Sequence, residues 1–305
     1  SSLLRLHESG SEGFSMSACE LCPRLCRADR EAGETGYCGV GDSLRVARIA
    51  PHMWEEPCLS GSRGAGAVFF SGCSLRCAFC QNYDLSHSAK GEDISDEDFL
   101  SRVKELAGSG VHCIDLVTPT QFTRRLLPLL AKIKEETRLP IVWNSGGYER
   151  VETLRELEGL VDIYLPDLKY ASCNLAKRYS DAPDYPEVAA AAIAEMYRQV
   201  GAFECDTDGI AKKGLIVRHL VLPGGRHDSE KVLRGLAASL PVENIRLSLM
   251  SQYTPDFAAS SPYRELHRRV TSFEYDYVLS VAEELGFSGF CQERSSASGK
   301  FTPDF

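Results

Sequence analysis

From Gly64 onward short apolar runs of β-formers alternate with amphipathic helical stretches, and that alternation limits the chain to a parallel sheet covered by helices. The candidate strands are "AVFF" at 67–70, "CIDLV" at 113–117, "IVW" at 141–143, "VDIYL" at 161–165, "LIVRHLVL" at 215–222 and "IRLSLM" at 245–250, six in all. The helices between them carry their own boundaries. In "SDEDFLSRVKELAGSG", Ser95 is a candidate N-cap with Asp98 three residues on, and Gly108 or Gly110 ends the helix. In "DYPEVAAAAIAEMYRQVG", Pro186 opens the helix and Gly201 follows its end, and a further helix is expected at 274–285. The fold class is therefore α/β. In a full or partial β/α barrel, chemistry gathers at the C-terminal strand ends. Those ends read "SGCSLRCAFC", "TPTQ", "NSGGY", "PDLK", "PGGRHD" and "SQYTP".

Residues 1–60 differ in character: turn-rich, cysteine-rich and too poor in apolar runs to fold without a staple. The chain divides on this reading into a metal-binding segment, 1–60, and a β/α domain, 61–305. No repeat, no low-complexity tract and no apolar run of about eighteen residues interrupts it, so no membrane span is expected. The opening "SSLLRLHESGSEGF" lacks a basic region followed by an apolar core, which reads as no secretory signal. A net charge of −9 argues against a nucleic-acid partner. Twelve cysteines, partly clustered, in a chain without that signal point to metal binding in a reducing cytoplasm rather than to a disulfide framework.

"FFSGCSLRCAFCQNYD" places Cys73, Cys77 and Cys80 on one loop directly after the first strand. Structural zinc and simple ferredoxin-type clusters take four ligands. Three thiolates leave one iron of a [4Fe–4S] cluster open, free to chelate the amino and carboxylate groups of S-adenosylmethionine (SAM). A zinc loop completed by a distant ligand, or three unrelated core cysteines, is the plainer alternative.

The Cys-x3-Cys-x2-Cys spacing, with Phe79 before the third cysteine, resembles the signature of the radical SAM superfamily. From about Gly64 to Phe305 the chain is most similar to the pyruvate formate-lyase activating enzyme branch and its PflX group, through "WEEPCLSG", "LVTPT", "VDIYLPDLKY", "GLIVRHLVLPG" and "LMSQYTP". The resemblance implies a partial (β/α)6 TIM-like barrel in which Cys73, Cys77 and Cys80 ligate the [4Fe–4S] cluster. Activating enzymes carry a Gly-Gly-Glu motif after the second strand to meet the SAM amino group. Here that site reads Thr118-Pro119-Thr120-Gln121, which leaves Thr118 and Thr120 as the candidate contacts. Asn144 and Ser145 at the third strand end, and Asp167 and Lys169 at the fourth, match positions near the SAM carboxylate or a monovalent cation. Against this, "NSGGY" alone is a turn that Gly146 and Gly147 permit, and Asp167 with Lys169 alone is a surface pair. Arg218 lies inside the apolar fifth strand, where an unpaired charge is costly, so it needs a carboxylate or SAM partner. It matches a SAM-contacting strand position, and Gln252 lies at the sixth strand end. His219, on the opposite face, reads as a satisfied outer-layer histidine.

Cys19-x2-Cys22-x3-Cys26-x11-Cys38 supplies four thiolates in a Gly-rich segment, a closed second metal centre of either zinc or another [4Fe–4S] cluster. Similar cysteines occur in the PflX group, which implies a structural or electron-relay role. Cys58, beside Glu55 and Glu56, is a substrate-facing thiol, a hydrogen-atom relay or a buried apolar cysteine. Cys113, Cys173, Cys205 and Cys291 read as packing residues.

The resemblance implies an oxidoreductase-like radical enzyme that reductively cleaves SAM to a 5′-deoxyadenosyl radical, fed by flavodoxin or ferredoxin. Its substrate is then a glycine loop of a partner enzyme, a peptide, or a small molecule that is oxidised, rearranged or methylated. A reading of another class is a non-catalytic iron–sulfur or zinc protein that binds a partner.

Overall fold

The computed structural model describes residues 18–291. The opening segment read for a secretory signal, and the last fourteen residues of the expected 61–305 domain, lie outside the described residues. The chain enters the sheet through β1 (Leu44–His52), then a single turn, α1 (Pro57–Ser60), and β2 (Ala65–Phe70). α2 (Tyr83–Ser88), β3 (Glu92–Ile94) and α3 (Asp96–Gly108) lead to β4 (Ile114–Val117). Next come α4 (Thr123–Thr137), β5 (Ile141–Ser145), α5 (Val151–Glu156) and β6 (Ile163–Pro166). α6 (Cys173–Ser180), α7 (Tyr185–Val200) and the short β7 (Glu204–Cys205) precede the long β8 (Ala211–Leu220). α8 (Arg226–Ser239), β9 (Arg246–Met250), α9 (Ser272–Glu284) and β10 (Gly289–Cys291) follow.

The sheet order is β10-β9-β8-β6-β5-β4-β2-β1-β3, with β7 hung on β8. From β2 to β10 every neighbouring pair is parallel. The order advances steadily and, among the described residues, the two ends do not pair, so the sheet is a partial barrel. All six expected strands are present, and the structure adds a seventh parallel strand, β10, plus an antiparallel edge of β1 and β3. β1 runs from Val46 opposite Phe70 to His52 opposite Ala65, so a domain boundary at residue 60 cuts through the sheet. That correction has a physical cause. "LRVARIAPH" alternates apolar residues with arginines and is mostly half-buried, as befits a strand near an edge, and it lacks the continuous apolar run of an inner strand.

Inner strands are buried on both faces, from Ile114 and Leu116 to Ile163 and Ile216. Helix ends obey local chemistry. Ser95 Oγ accepts from the Asp98 amide at 3.1 Å, and Gly110, at φ +90°, turns the chain back after α3. α7 starts with proline in its first turn and stops at Gly201, at φ +68°. α9 spans Ser272–Glu284, close to the expected 274–285, behind a capping box of Thr271 and Glu274.

Candidate active site

β2 runs directly into Ser71-Gly72-Cys73. Gly72 sits at φ +83°, and a Cβ there would lie 2.7 Å from the Cys38 carbonyl oxygen, so glycine alone permits this approach. The loop is then tied down by its neighbours. The Cys73 amide donates to Cys38 O at 3.3 Å, and the Ala78 amide to Tyr179 O at 2.8 Å. Gln121 Nε2 donates to the carbonyls of Ser71, Gly72 and Thr118 at 2.9, 3.1 and 2.8 Å, which makes it a brace between two strand ends. The Ser180 hydroxyl reaches Cys77 Sγ at 2.9 Å, and the Leu75 amide reaches Cys73 Sγ at 3.4 Å.

Cys73, Cys77 and Cys80 together line a cavity of about 190 Å³. Its walls include Phe79, Thr118, Asn144, Ser145, Asp167, Lys169, Arg218 and Gln252. Phe79 packs edge-on to Tyr179 and Tyr253. Thr118 holds a left-handed backbone, φ +59°, and donates its amide to Asn144 O at 2.8 Å. Thr120 is not part of this wall: it is buried, and its hydroxyl donates to Glu149 Oε1 at 2.6 Å. The expected Thr120 contact is corrected accordingly, because that hydroxyl is already used inside the core.

The charges are paired. Arg218 Nε and one terminal nitrogen bond Glu56 Oε1 and Oε2, each at 2.7 Å; the guanidinium also meets Glu55, and Asn144 Oδ1 at 3.2 Å. Burial alone would lower the pKa of Arg218, but Glu55 and Glu56 outweigh it and hold the guanidinium charged. Lys169 Nζ lies 2.5 Å from Asp167 Oδ2. There too burial opposes the charge and Asp167 outweighs it. The Lys169 ammonium thus stands where a monovalent cation beside Asp167 would sit. Gly147 allows this corner, since a Cβ on it would fall 2.1 Å from the Asp167 carbonyl oxygen. Asp115, fully buried behind Asn144, has its pKa pushed well up by burial and then by Glu55. His219 lies on the other side of β8, with its ring nitrogens 2.6 Å from Leu168 O and 2.8 Å from Ser229 Oγ.

Val117, Asn144, Arg218, Met250 and Gln252 also line a second cavity of about 790 Å³, so the two spaces adjoin. His52 at the end of β1 and Met53, Trp54, Glu55 and Glu56 from the β1–α1 loop line the larger one, as does Cys291. The carboxylates Glu55 and Glu56 are the site residues missed in the sequence. Their signal was the unpaired arginine in β8, which demanded an acid from somewhere.

Residues 67–201 match the Radical SAM superfamily profile. This stretch is a radical SAM domain. An uncharacterized protein of Methanocaldococcus jannaschii is 29% identical over 273 residues, which cover 87% of this chain and 74% of that protein. The fold is similar to a radical SAM methyltransferase from Sphaerobacter thermophilus, at 16% identity and TM-score 0.51, covering 74% of this chain and 65% of that one. It is also similar to Streptococcus suis SuiB bound to S-adenosylmethionine, at 13% identity and TM-score 0.51, covering 72% of this chain and 48% of SuiB.

The radical SAM domain implies a [4Fe–4S] cluster and SAM, and the donor set fits them. No three His, Cys, Asp or Glu side chains among the described residues are placed to share one metal ion. A cluster takes one thiolate per iron, so its three thiols need not converge on one point. Burial pushes the Cys80 thiol up to about 12.

The remaining cysteines divide. Cys58 is buried with Leu59, Ala65 and Cys113 and lies outside both cavities, as the apolar reading requires. Cys113 packs as expected, but Cys173, Cys205 and Cys291 are exposed, so the packing role assigned to them is corrected. Their segments are a helix start and two short edge strands, which leave the side chains uncovered. No helix among the described residues is long and apolar enough to cross a membrane.

Proposed function

We propose that this chain is a radical SAM enzyme that abstracts a hydrogen atom from a polypeptide segment. The observation that carries the proposal is that the three-cysteine chamber adjoins the 790 Å³ cavity across shared wall residues. When bound, the reduced cluster and SAM supply a 5′-deoxyadenosyl radical, with methionine as the other product. Cys73, Cys77 and Cys80 would hold the cluster from one loop, and the strand ends line the same chamber. There Asp167 and Lys169 present one negative and one positive group to the ammonium and carboxylate of a zwitterion. Asn144 and Ser145 offer neutral polar groups beside them. Arg218, braced by Glu55 and Glu56, keeps the boundary between the two cavities rigid. Phe79, in the chamber wall, is held by edge-on ring contacts with Tyr179 and Tyr253.

Trp54 and Met53, 59% and 46% exposed, stand at the wall of the larger cavity. Exposed apolar groups at an opening suit a chain segment better than a small polar metabolite. The finer form of the proposal is a backbone glycine of a partner enzyme, in a branch fed by flavodoxin or ferredoxin.

Anaerobic reconstitution followed by dithionite and SAM tests the reading. The expected result is 5′-deoxyadenosine from the wild type and none from Cys77→Ala. An intact reduced cluster that leaves SAM uncleaved overturns it. With glycine-deuterated polypeptide pools as substrate, deuterium in the 5′-deoxyadenosine supports the segment. Label arriving only from small metabolites replaces it with the alternative substrate class.

A further inference from the structure

The N-terminal loop gathers four thiols that the proposed chemistry does not use. Cys22 lies near Cys19, Cys26 and Cys38, and all four are unpaired by disulfides. The loop that carries them is shaped by its backbone. The Cys19 amide donates to Ala28 O and the Arg27 amide to Cys19 O, each at 3.0 Å, while the Leu25 amide closes a turn on Cys22 O at 3.1 Å. Leu25 and Arg27 take left-handed backbones, φ +44° and +56°, which reverse the chain around Cys26. From the other side Gly36 approaches Cys26 so closely that a Cβ on it would lie 2.6 Å from the sulfur. The Gly39 amide then turns back onto Gly36 O at 2.9 Å, which brings in Cys38.

Zinc and iron–sulfur centres make different demands on four such sulfurs. Four thiolates on one zinc, each at about 2.3 Å, must sit roughly 3.8 Å from one another. No three cysteines among the described residues are placed to share one ion in this way. A cluster spreads its ligands, because each thiolate binds its own iron. Cys73, Cys77 and Cys80, where a radical SAM domain implies a cluster, are likewise not placed to share one ion.

We infer that Cys19, Cys22, Cys26 and Cys38 hold a second iron–sulfur cluster, seated against the loop of the first. The contact between the two sites is direct: Cys38 O accepts from the Cys73 amide, and Arg24 Nε donates to Ser74 O at 2.7 Å. Tyr37 lies between them, with the guanidinium of Arg24 3.9 Å and that of Arg76 4.9 Å from its ring centre. Cys26 is exposed and Cys38 buried, so a cluster held here would be ligated on its solvent side by Cys26 and on its inner side by Cys38. This inference does not depend on SAM cleavage.

The test is a metal count on the full chain, reconstituted anaerobically with iron and sulfide in the presence of zinc. The Cys73→Ala/Cys77→Ala/Cys80→Ala variant should keep about half of the wild-type iron and sulfide, with a paramagnetic signal after dithionite reduction. Cys19→Ala/Cys22→Ala should keep the other half and lose that signal. A triple variant that carries zinc and no iron, or that keeps its circular dichroism and binds neither metal, overturns the inference. Should the variants fail to fold, the wild type still decides: iron matching two clusters supports it, and iron for one cluster plus zinc sinks it.

Discussion

Arg218 shows how far one residue can be read. Its place in an apolar strand demanded a carboxylate or SAM partner, yet Glu56 lies 162 positions away along the chain, and only the fold names it as the partner. Glu149 had no such signal. It closes the "NSGGYE" turn, is 2% exposed, and burial pushes its carboxyl up to about 7, only partly offset by Thr120, Ser145 and Trp143. In the unfolded chain the same group titrates near 4.5. Between those values the folded state keeps a proton that the unfolded state has released. Stability therefore falls as pH rises from about 4.5 to about 7, then levels off. Glu149→Gln removes that dependence. Relative to the wild type it should gain stability from pH 5 to pH 8, by at most about 3 kcal/mol, in urea unfolding at the two pH values. An equal difference at both would show that Glu149 is ionised throughout.

At the scale of elements, capping chemistry was the most legible. Ser95 caps α3 through Asp98 as its spacing suggested, and Pro186 and Gly201 bracket α7. The box at α9 extends beyond its own helix. Thr271 Oγ1 accepts from the Glu274 amide at 3.2 Å, while Glu274 accepts from the Gly224 amide at 2.8 Å and pairs with Arg268. Glu274 thus fastens the β8–α8 loop, at the strand end beside the site, to α9. Thr271→Ala should cost about 1 kcal/mol in thermal or denaturant unfolding, and Glu274→Ala more, because it also strips Gly224 and Arg268 of their partner. Equal losses from the two would mean that the cap acts alone. β1 and β10 were less legible, since one interleaves arginines with its apolar residues and the other is three residues long and begins with glycine.

Across the whole molecule, Arg24 joins the cysteine-rich loop to the barrel. Its guanidinium donates to the carbonyls of Ser74, Ser180 and Asp181 and lies over Tyr37, so it touches both the cluster loop and the end of α6. Arg30 does the same on the other flank through Gly41 and Gln121. Arg24→Ala leaves those carbonyls without a donor and should cost on the order of 3 kcal/mol. Limited proteolysis should then cut first in residues 18–43, with the barrel intact. Unchanged protection of that segment would show that Arg30 and the Cys38–Cys73 contact hold it unaided.

By itself the sequence determined the parallel β/α core, the caps, and the three-plus-four division of the clustered cysteines. Each of these depends on chemistry within a few residues: apolar periodicity, side-chain to backbone capping, and ligand spacing on one loop. The tertiary structure alone decided that Glu55 and Glu56 meet Arg218, that Thr120 turns inward to Glu149, and that Cys38 rests on Cys73. Those pairings are set by the steady advance of the sheet, which brings segments distant in sequence to one open end.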